Sequence, residues 1–315
     1  MFNITIQNNK TLFKCREDQT LLSAAQENRV NLPFSCENGR CKSCRIEILQ
    51  GDIQKTNSNN ETLACATYPK SNLVIDAEIL ENLPLVNNFP VKVYKIEYLS
   101  VDIIRIKFKY PKKQNLQINQ GQHINLSFKR CTRKYSLETF DPIEKTFSLI
   151  IKLLETGEMS NLIKQDIQLG TLMFVEGPLG SFANNIYEVE KPILFLATGT
   201  GIAPIINIMQ TIENRLHSKP LIVWGNRWRK DFFDIKIDQK IELIKVVSRE
   251  HSDNEFDCGY VQEVAVKRIE NDLSNYYVAA CGLEKMVEHA KSLFCQNGLK
   301  LENFTSDIFY KSGRE

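Results

Sequence analysis

The chain lacks most of what would send a protein to a membrane or a nucleic acid. Its 40 basic residues stand against 38 acidic ones, a formal charge of +2, with no long tail of one sign. Composition therefore gives no support to nucleic-acid binding or to a polybasic membrane anchor. The opening MFNITIQNNK has no basic stretch followed by an apolar core, which argues against a secretory signal. The most apolar run, ILFLATGTGIAPIINIM, is broken by two glycines and a proline. It falls short of the roughly eighteen uninterrupted apolar residues of a membrane span. Repeats and low-complexity tracts are absent. These gaps predict a cytoplasmic globular protein, and 315 residues, about twice a usual domain, predict two or three domains with separate cores.

Cysteine is present in number: nine, an odd count concentrated partly in one loop. That suits thiols and metal ligation in a reducing compartment better than a disulfide framework. In CENGRCKSC, residues 36 to 44, the thiols Cys36, Cys41 and Cys44 follow C-x4-C-x2-C. Cys65, in TLACAT, lies about twenty residues further on. This is the spacing of a plant-type 2Fe-2S centre, in which four thiolates hold two irons. A structural zinc site is the competing reading, but such sites use paired C-x2-C knuckles, and Cys41/Cys44 has no second pair. A Rieske centre needs two histidines, and all four histidines of the chain lie beyond residue 84. Gly39 permits tight curvature, and loop amides can donate to cluster sulfurs. Cys15, Cys131, Cys258 and Cys295 read as buried apolar residues.

The chain divides into three patterns. Residues 1–84 hold the alternating FNITIQ and TLFKC, a helix-spaced TLLSAAQENRV, and strands RIEIL and NLVIDAEI, a small mixed sheet around one helix. ENLPLVNNFPVKV has the Pro and Asn content of a linker. Residues 88–188 are short strands broken by Gly, Asn and Pro, the pattern of a small antiparallel barrel. Residues 189–315 alternate apolar strands (PILFLAT, PLIVWG, IELIKVV, YYVAAC) with helical segments such as APIINIMQTIENRL and EKMVEHAKSLFCQN, predicting a parallel sheet flanked by helices.

With the cysteine loop in place, the first segment resembles a plant-type ferredoxin module, which implies a β-grasp fold. In the second, RKYS resembles the R-x-Y-S flavin signature of the ferredoxin–NADP reductase superfamily. The resemblance implies that Arg133 pairs with the FAD diphosphate, that Tyr135 lies against the ring system and that Ser136 hydrogen-bonds near N5. GEMSNLI resembles the superfamily's Gly-x-x-Ser turn, placing Gly157, Met159 and Ser160 at a helix start suited to an anion. EGPLGSF resembles the turn that closes this barrel. In the third segment, TGTGIAP resembles the nicotinamide-nucleotide loop, with Gly199, Thr200 and Gly201 near a diphosphate and Pro204 early in the helix. WGNRWRKDFFD carries the G-x-R-x-x-x-D pattern of Gly225, Arg227 and Asp231. AACGLEKMV resembles the C-G-P-x-x-M segment beside the nicotinamide, carrying Cys281, Gly282 and Met286, with Leu283 in place of the usual proline.

The order ferredoxin module, FAD-binding β-barrel, NAD(P)-binding α/β domain is similar to the reductases of multicomponent oxygenases and to the CDP-6-deoxy-glucoseen reductases of deoxysugar synthesis. It implies an NAD(P)H:acceptor oxidoreductase that takes a hydride onto FAD and passes single electrons through the 2Fe-2S cluster to a partner protein, a dehydratase or an oxygenase component. On this resemblance Ser136 and Cys281 are the residues expected at the reacting atoms. Ser248 and Arg249, in VVSREHSD after a strand end, are placed to receive the 2′-phosphate of NADPH. Reductases of this domain order commonly use NADH, and a single Arg in a polar loop is usually solvated, so NADH is the favoured donor and NADPH the alternative. The other reading is a redox-sensing regulatory subunit without net turnover.

Overall fold

The computed structural model describes residues 1–55, 62–80, 83–183, 186–212, 219–238, 241–270 and 272–309. They gather into two compact units, Met1–Leu83 and Pro84–Glu315.

In the first unit, strands β1 (Phe2–Ile6) and β2 (Thr11–Cys15) form an antiparallel hairpin, followed by helix α1 (Leu21–Glu27), β3 (Glu47–Gln50), β4 (Ile53–Lys55), β5 (Thr67–Pro69) and β6 (Leu73–Asp76). The main sheet has the order β2-β1-β6-β3. The central β1/β6 pair is parallel and both outer pairs are antiparallel. Alternation explains the buried face, since Ile4 and Ile6 of β1 and Leu73 and Ile75 of β6 all turn inward. Against them α1 lays Leu21, Leu22, Ala24 and Ala25. The helix begins at Thr20, whose hydroxyl accepts from the Ser23 amide at 3.2 Å. A helix across a mixed four-stranded sheet is the β-grasp arrangement.

The second unit opens with β7 (Asn87–Tyr98), β8 (Ile103–Lys109), β9 (His123–Phe128), β10 (Cys131–Ser136), β11 (Thr139–Asp141), β12 (Thr146–Lys152), helix α2 (Glu158–Asp166) and β13 (Leu172–Leu179). These seven strands make one antiparallel sheet, ordered β10-β9-β13-β7-β8-β12-β11. It curls until β10 comes back against β12. Phe108 and Phe147 stack inside it at 5.2 Å, with Ile106, Leu126 and Met173 fully buried. The seam is polar. Glu138, in the turn after β10, receives Arg105 of β8 at 2.6 Å and the Ser148 hydroxyl of β12 at 2.9 Å. A carboxylate this deeply buried needs both partners.

The chain continues through β14 (Ile193–Thr198), α3 (Ile202–Ile212), β15 (Leu221–Asn226), β16 (Glu242–Val247), β17 (Phe256–Cys258), α4 (Val261–Arg268), β18 (Tyr277–Leu283), α5 (Glu284–Gln296) and β19 (Phe304–Phe309). The sheet is wholly parallel, ordered β17-β16-β15-β14-β18-β19. β14 begins at the centre; the chain first builds outward through β15, then crosses to β18 on the other side. The ends of β14, β15 and β18 therefore frame a topological switch point, where open α/β sheets bind their ligands. Curled sheet and parallel sheet share one core, in which Ile103, Ile150 and Phe182 cluster with Phe195, Ile205 and Trp224. That common burial makes Pro84–Glu315 one unit.

Two cysteines depart from expectation. Cys15 and Cys131 are buried, whereas Cys258 and Cys295 are exposed, because β17 is an edge strand and Cys295 lies on the outer side of the last turn of α5. The segment RIEIL is also less regular than its alternation predicts. Arg45 pairs in an isolated bridge with Leu63 rather than within a strand, and β3 starts two residues later.

Candidate functional site

The four cysteines lie as two pairs. The Cys41 amide lies 3.3 Å from Cys36 Sγ and the Cys36 amide 3.4 Å from Cys41 Sγ, so each of these two residues turns its amide to the other's sulfur. Cys44 Sγ lies 3.3 Å from Cys65 Sγ, and the Gly39 amide donates to Cys65 Sγ at 3.2 Å. Gly39 has φ +78°, and Glu37 and Lys42 are also left-handed, at +57° and +63°. These turns curl the loop and aim its amides inward. Cys65 arrives on a 3-10 turn fastened to the loop by the Ala64 amide on the Cys44 carbonyl, 2.8 Å. One sulfur of each pair is driven toward the thiolate. Cys36 is held below its ordinary value by the Cys41 thiol, with the Cys41, Asn38 and Arg40 amides working against burial. Cys65 is lowered by the Cys44 thiol and, against burial, by the Gly39 amide. Two thiol pairs with converging amides fit a two-iron cluster, two sulfurs per iron. Cys15 shows the contrast: it hydrogen-bonds to backbone carbonyls, and burial pushes it up to about 11.

The flavin-type residues lie on β10 and α2. As an edge strand, β10 leaves one row of backbone groups unpaired within the sheet. Arg133 Nη2 stands 3.4 Å from Glu158 Oε2 in the first turn of α2, which brings a guanidinium and a helix N-terminus together. The N-cap Gly157 supplies no side-chain cap, so the first amides of α2 keep their donor capacity. Ser160 and Met159 both lie in the first turn of α2. The Ser160 hydroxyl is buried and accepts from the Leu154 amide at 3.0 Å, while Met159 sits in the core of the curled sheet. A Cβ on Gly157 would come within 2.9 Å of Ser160 Oγ, so the G-x-x-S spacing shapes this turn. Tyr135 is half-buried, and burial raises its phenol above the usual range.

At the switch point, Gly199 has φ +58°, with Asn226 Oδ1 at 4.0 Å from where a Cβ would stand, and its carbonyl accepts from Trp224 Nε1 at 2.9 Å. Gly201 is different, since a Cβ there would lie 2.4 Å from the Cys281 carbonyl. It is the residue that lets the turn pack on β18. Gly282 has φ +152°, and a Cβ would collide with Thr198 Oγ1 at 2.1 Å. Among the described residues, Thr198 Oγ1 and Asn226 Nδ2, at the ends of β14 and β15, are buried without a hydrogen-bond partner. Orphaned polar atoms beside a glycine turn at a switch point fit a nucleotide ligand. Pro204 is buried in the first turn of α3, Met286 is half-buried beside Gly282, and Thr200 is half-buried. Arg227 and Arg249 are exposed, on loops joined by the Arg249 amide to the Arg227 carbonyl, with Ser248 bonded to Asn226 in the same way, both at 3.1 Å. Arg229 is engaged elsewhere, 2.9 Å from Asp253 and 3.5 Å from Glu250.

One polar link between curled and parallel sheets was not visible in the sequence. Asp307 on β19, 1% exposed at its side chain, receives Lys134 at 2.9 Å and the Ser136 hydroxyl at 2.9 Å. Its only sequence signal is a charge inside an apolar strand. Cys281 is fully buried one strand away, its thiol covered by the protein's own packing. Burial, with Asp307 adding to it, raises that thiol well above its ordinary value.

Three family models match in order: a 2Fe-2S iron-sulfur cluster binding domain at residues 4–70, an oxidoreductase FAD-binding domain at 90–184 and an oxidoreductase NAD-binding domain at 195–292. The chain is 31% identical over 314 residues to protein RfbI of Salmonella typhimurium, covering 95% of this chain and 94% of the relative. It is 27% identical over 328 residues to the CDP-6-deoxy-L-threo-D-glycero-4-hexulose-3-dehydrase reductase of Yersinia pestis, covering 98% and 99%. In fold it is similar to the Amycolatopsis cytochrome P450 reductase GcoB, with a TM-score of 0.81 at 20% identity, covering 98% and 99%. No helix among the described residues is long and apolar enough to cross a membrane. With cluster, flavin and nucleotide modules in one chain and a match along nearly its full length, the chain belongs to the ferredoxin–NADP reductase superfamily, as an iron-sulfur flavoprotein reductase with an N-terminal plant-type 2Fe-2S domain.

Proposed function

We propose that this reductase delivers electrons to a deoxysugar dehydratase in the cytoplasm, with NADH as its donor, and that residues 1–84, 88–188 and 189–315 carry cluster, flavin and nucleotide respectively. The relatives named as a dehydrase reductase and the fusion of all three modules support the acceptor; an oxygenase component is the second acceptor class, carried by a relative named as a reductase component of terephthalate 1,2-dioxygenase. When bound, FAD accepts a hydride from NAD(P)H and the cluster takes electrons singly.

The residues divide that work as follows. Cys36, Cys41, Cys44 and Cys65 hold the irons, and the Gly39, Cys36 and Cys41 amides tune the sulfurs. Arg133 exchanges Glu158 for the FAD diphosphate beside the first amides of α2. Tyr135 lies along the ring system, and Ser136 is the polar group near N5. Gly199 and Thr200 receive the nicotinamide nucleotide's diphosphate, and Thr198 and Asn226 supply polar atoms that have no protein partner. Arg227, Ser248 and Arg249 line the adenosine end. Cys281, Gly282 and Met286 form the floor beneath the nicotinamide, with the Cys281 thiol acting through packing. The observation that carries this reading is the Ser136–Asp307 hydrogen bond, which joins the flavin-type strand to the nucleotide sheet.

The test is an anaerobic visible spectrum before and after one equivalent of NADH, then of NADPH, with iron, sulfide and FAD quantified. Flavin and cluster bands that bleach with NADH support the reading, and reduction by NADPH alone overturns the donor. Reduction of a purified dehydratase rather than an oxygenase component decides the acceptor.

A further inference from the structure

Lys134 occupies the free position of R-x-Y-S. On a strand, residues two apart share a face, so Lys134 and Ser136 point the same way from β10, opposite to Arg133 and Tyr135. They divide one carboxylate between them: Lys134 Nζ on Asp307 Oδ1 and Ser136 Oγ on Asp307 Oδ2, each at 2.9 Å. Asp307 is 1% exposed and Lys134 26%, so the pair joins a carboxylate taken out of water to an ammonium that still reaches it.

Among the described residues, the other titratable groups facing this carboxylate are His123 from β9 and Cys281 from β18. Burial, reinforced by Lys134, holds His123 well below its usual value. Burial, reinforced by Asp307, holds Cys281 well above. Imidazole and thiol are therefore both neutral, and the charge on Asp307 is balanced by Lys134.

We propose that Lys134 is a positioning residue for hydride transfer: its ammonium keeps Asp307 a carboxylate, and Asp307 in turn draws the Ser136 hydroxyl proton inward, so that the Ser136 oxygen meets flavin N5 as an acceptor. The proposal rests on Ser136 lying near N5. A hydride arriving at N5 creates an N–H there, and an acceptor oxygen matches that N–H rather than the bare nitrogen. Without the ammonium, a buried carboxylate takes up a proton more readily. Protonated Asp307 no longer needs the Ser136 proton, and the hydroxyl is free to turn.

The experiment compares the holoenzyme with Lys134→Met, Lys134→Arg, Asp307→Asn and the Lys134→Met/Asp307→Asn double variant. Stopped-flow flavin reduction by NADH and the flavin midpoint potential are both measured from about pH 6 to about pH 8. Lys134→Met gains an ionisation absent from wild type in both readouts. It is slower by about tenfold at the acid end, where it converges on Asp307→Asn, and it approaches wild type at the alkaline end. Lys134→Arg keeps the wild-type profile. The double variant matches Asp307→Asn, because Lys134 acts only through Asp307; this comparison stands even where Lys134→Met alone fails to fold. A Lys134→Met profile parallel to wild type, or a double variant that departs further from wild type than Asp307→Asn, overturns the proposal. Wild type that neither NADH nor NADPH reduces overturns the reading of the flavin site on which the proposal rests, an outcome distinct from either.

Discussion

Ser136 shows how far a single residue could be read in advance. RKYS marked it as a flavin-side hydroxyl, but that it is buried and donates to Asp307 from a distant strand follows only from the fold. Replacing it with Ala is expected to slow flavin reduction by on the order of 10²-fold, the scale of losing one preorganised polar contact at the reacting atoms. Stopped-flow absorbance with unchanged circular dichroism checks this. Cys281 takes the opposite direction. As a buried thiol inside β18 it is expected to tolerate Ala with a smaller rate loss than Ser136→Ala, since it acts through packing. A larger loss places it back at the reacting atoms. His123 carries a pH prediction. Its folded pKa lies well below the ordinary 6.5 because burial disfavours the imidazolium. The unfolded chain therefore binds the extra proton first. The stability is fully present above about pH 6.5 and falls by about 1.4 kcal/mol per unit as pH drops below it, down to the folded pKa. His123→Gln is expected to flatten that acid limb in melting curves taken from pH 7 to pH 5, each value approximate to the unperturbed pKa; an unchanged slope counts against a neutral buried His123.

At the scale of the element, the glycine turn after β14 was legible as a strand running into Gly-Thr-Gly and a helix, yet its two glycines differ in a way that spacing could not disclose. Gly199 is left-handed, with the nearest atom, Asn226 Oδ1, at an ordinary 4.0 Å from a Cβ, whereas Gly201 faces the Cys281 backbone at 2.4 Å. Gly199→Ala is expected to cost about 1–2 kcal/mol of backbone strain and to weaken nucleotide binding. Gly201→Ala forces β18 and the turn apart, with a cost of roughly 1–3 kcal/mol or more and a loss of nucleotide binding as a consequence. Thermal melting combined with an NADH titration separates the two, and equal melting temperatures would contradict the close packing. The Ser160 hydroxyl accepts from the Leu154 amide and keeps its own proton to donate, a contact by which a turn entering a helix satisfies its own backbone.

For the whole molecule, the separation into Met1–Leu83 and Pro84–Glu315 predicts separable losses. Cys65→Ser is expected to abolish cluster absorbance and cut reduction of the cluster-dependent protein acceptor by more than about tenfold. NADH-driven reduction of ferricyanide by the second unit persists, because losing one of four thiolates removes a ligand without touching β10 or β14. Loss of both activities would mean that the cluster supports the folding of the second unit.

The order of modules, the spacing of the four cysteines and the strand and helix types were determined by local sequence: short-range spacing and alternation are what C-x4-C-x2-C, the alternating barrel strands and the glycine turn consist of. The tertiary structure alone decided that Cys44 pairs with Cys65 at 3.3 Å, that Cys281 is sealed inside, and that Asp307 meets residues about 170 positions away in the chain. Such contacts depend on which sheets share a core, and no period along the chain records that. A lone charge in FTSDIF looks like any surface aspartate until β19 is placed against β18 and the Lys134–Ser136 face of β10 closes over it.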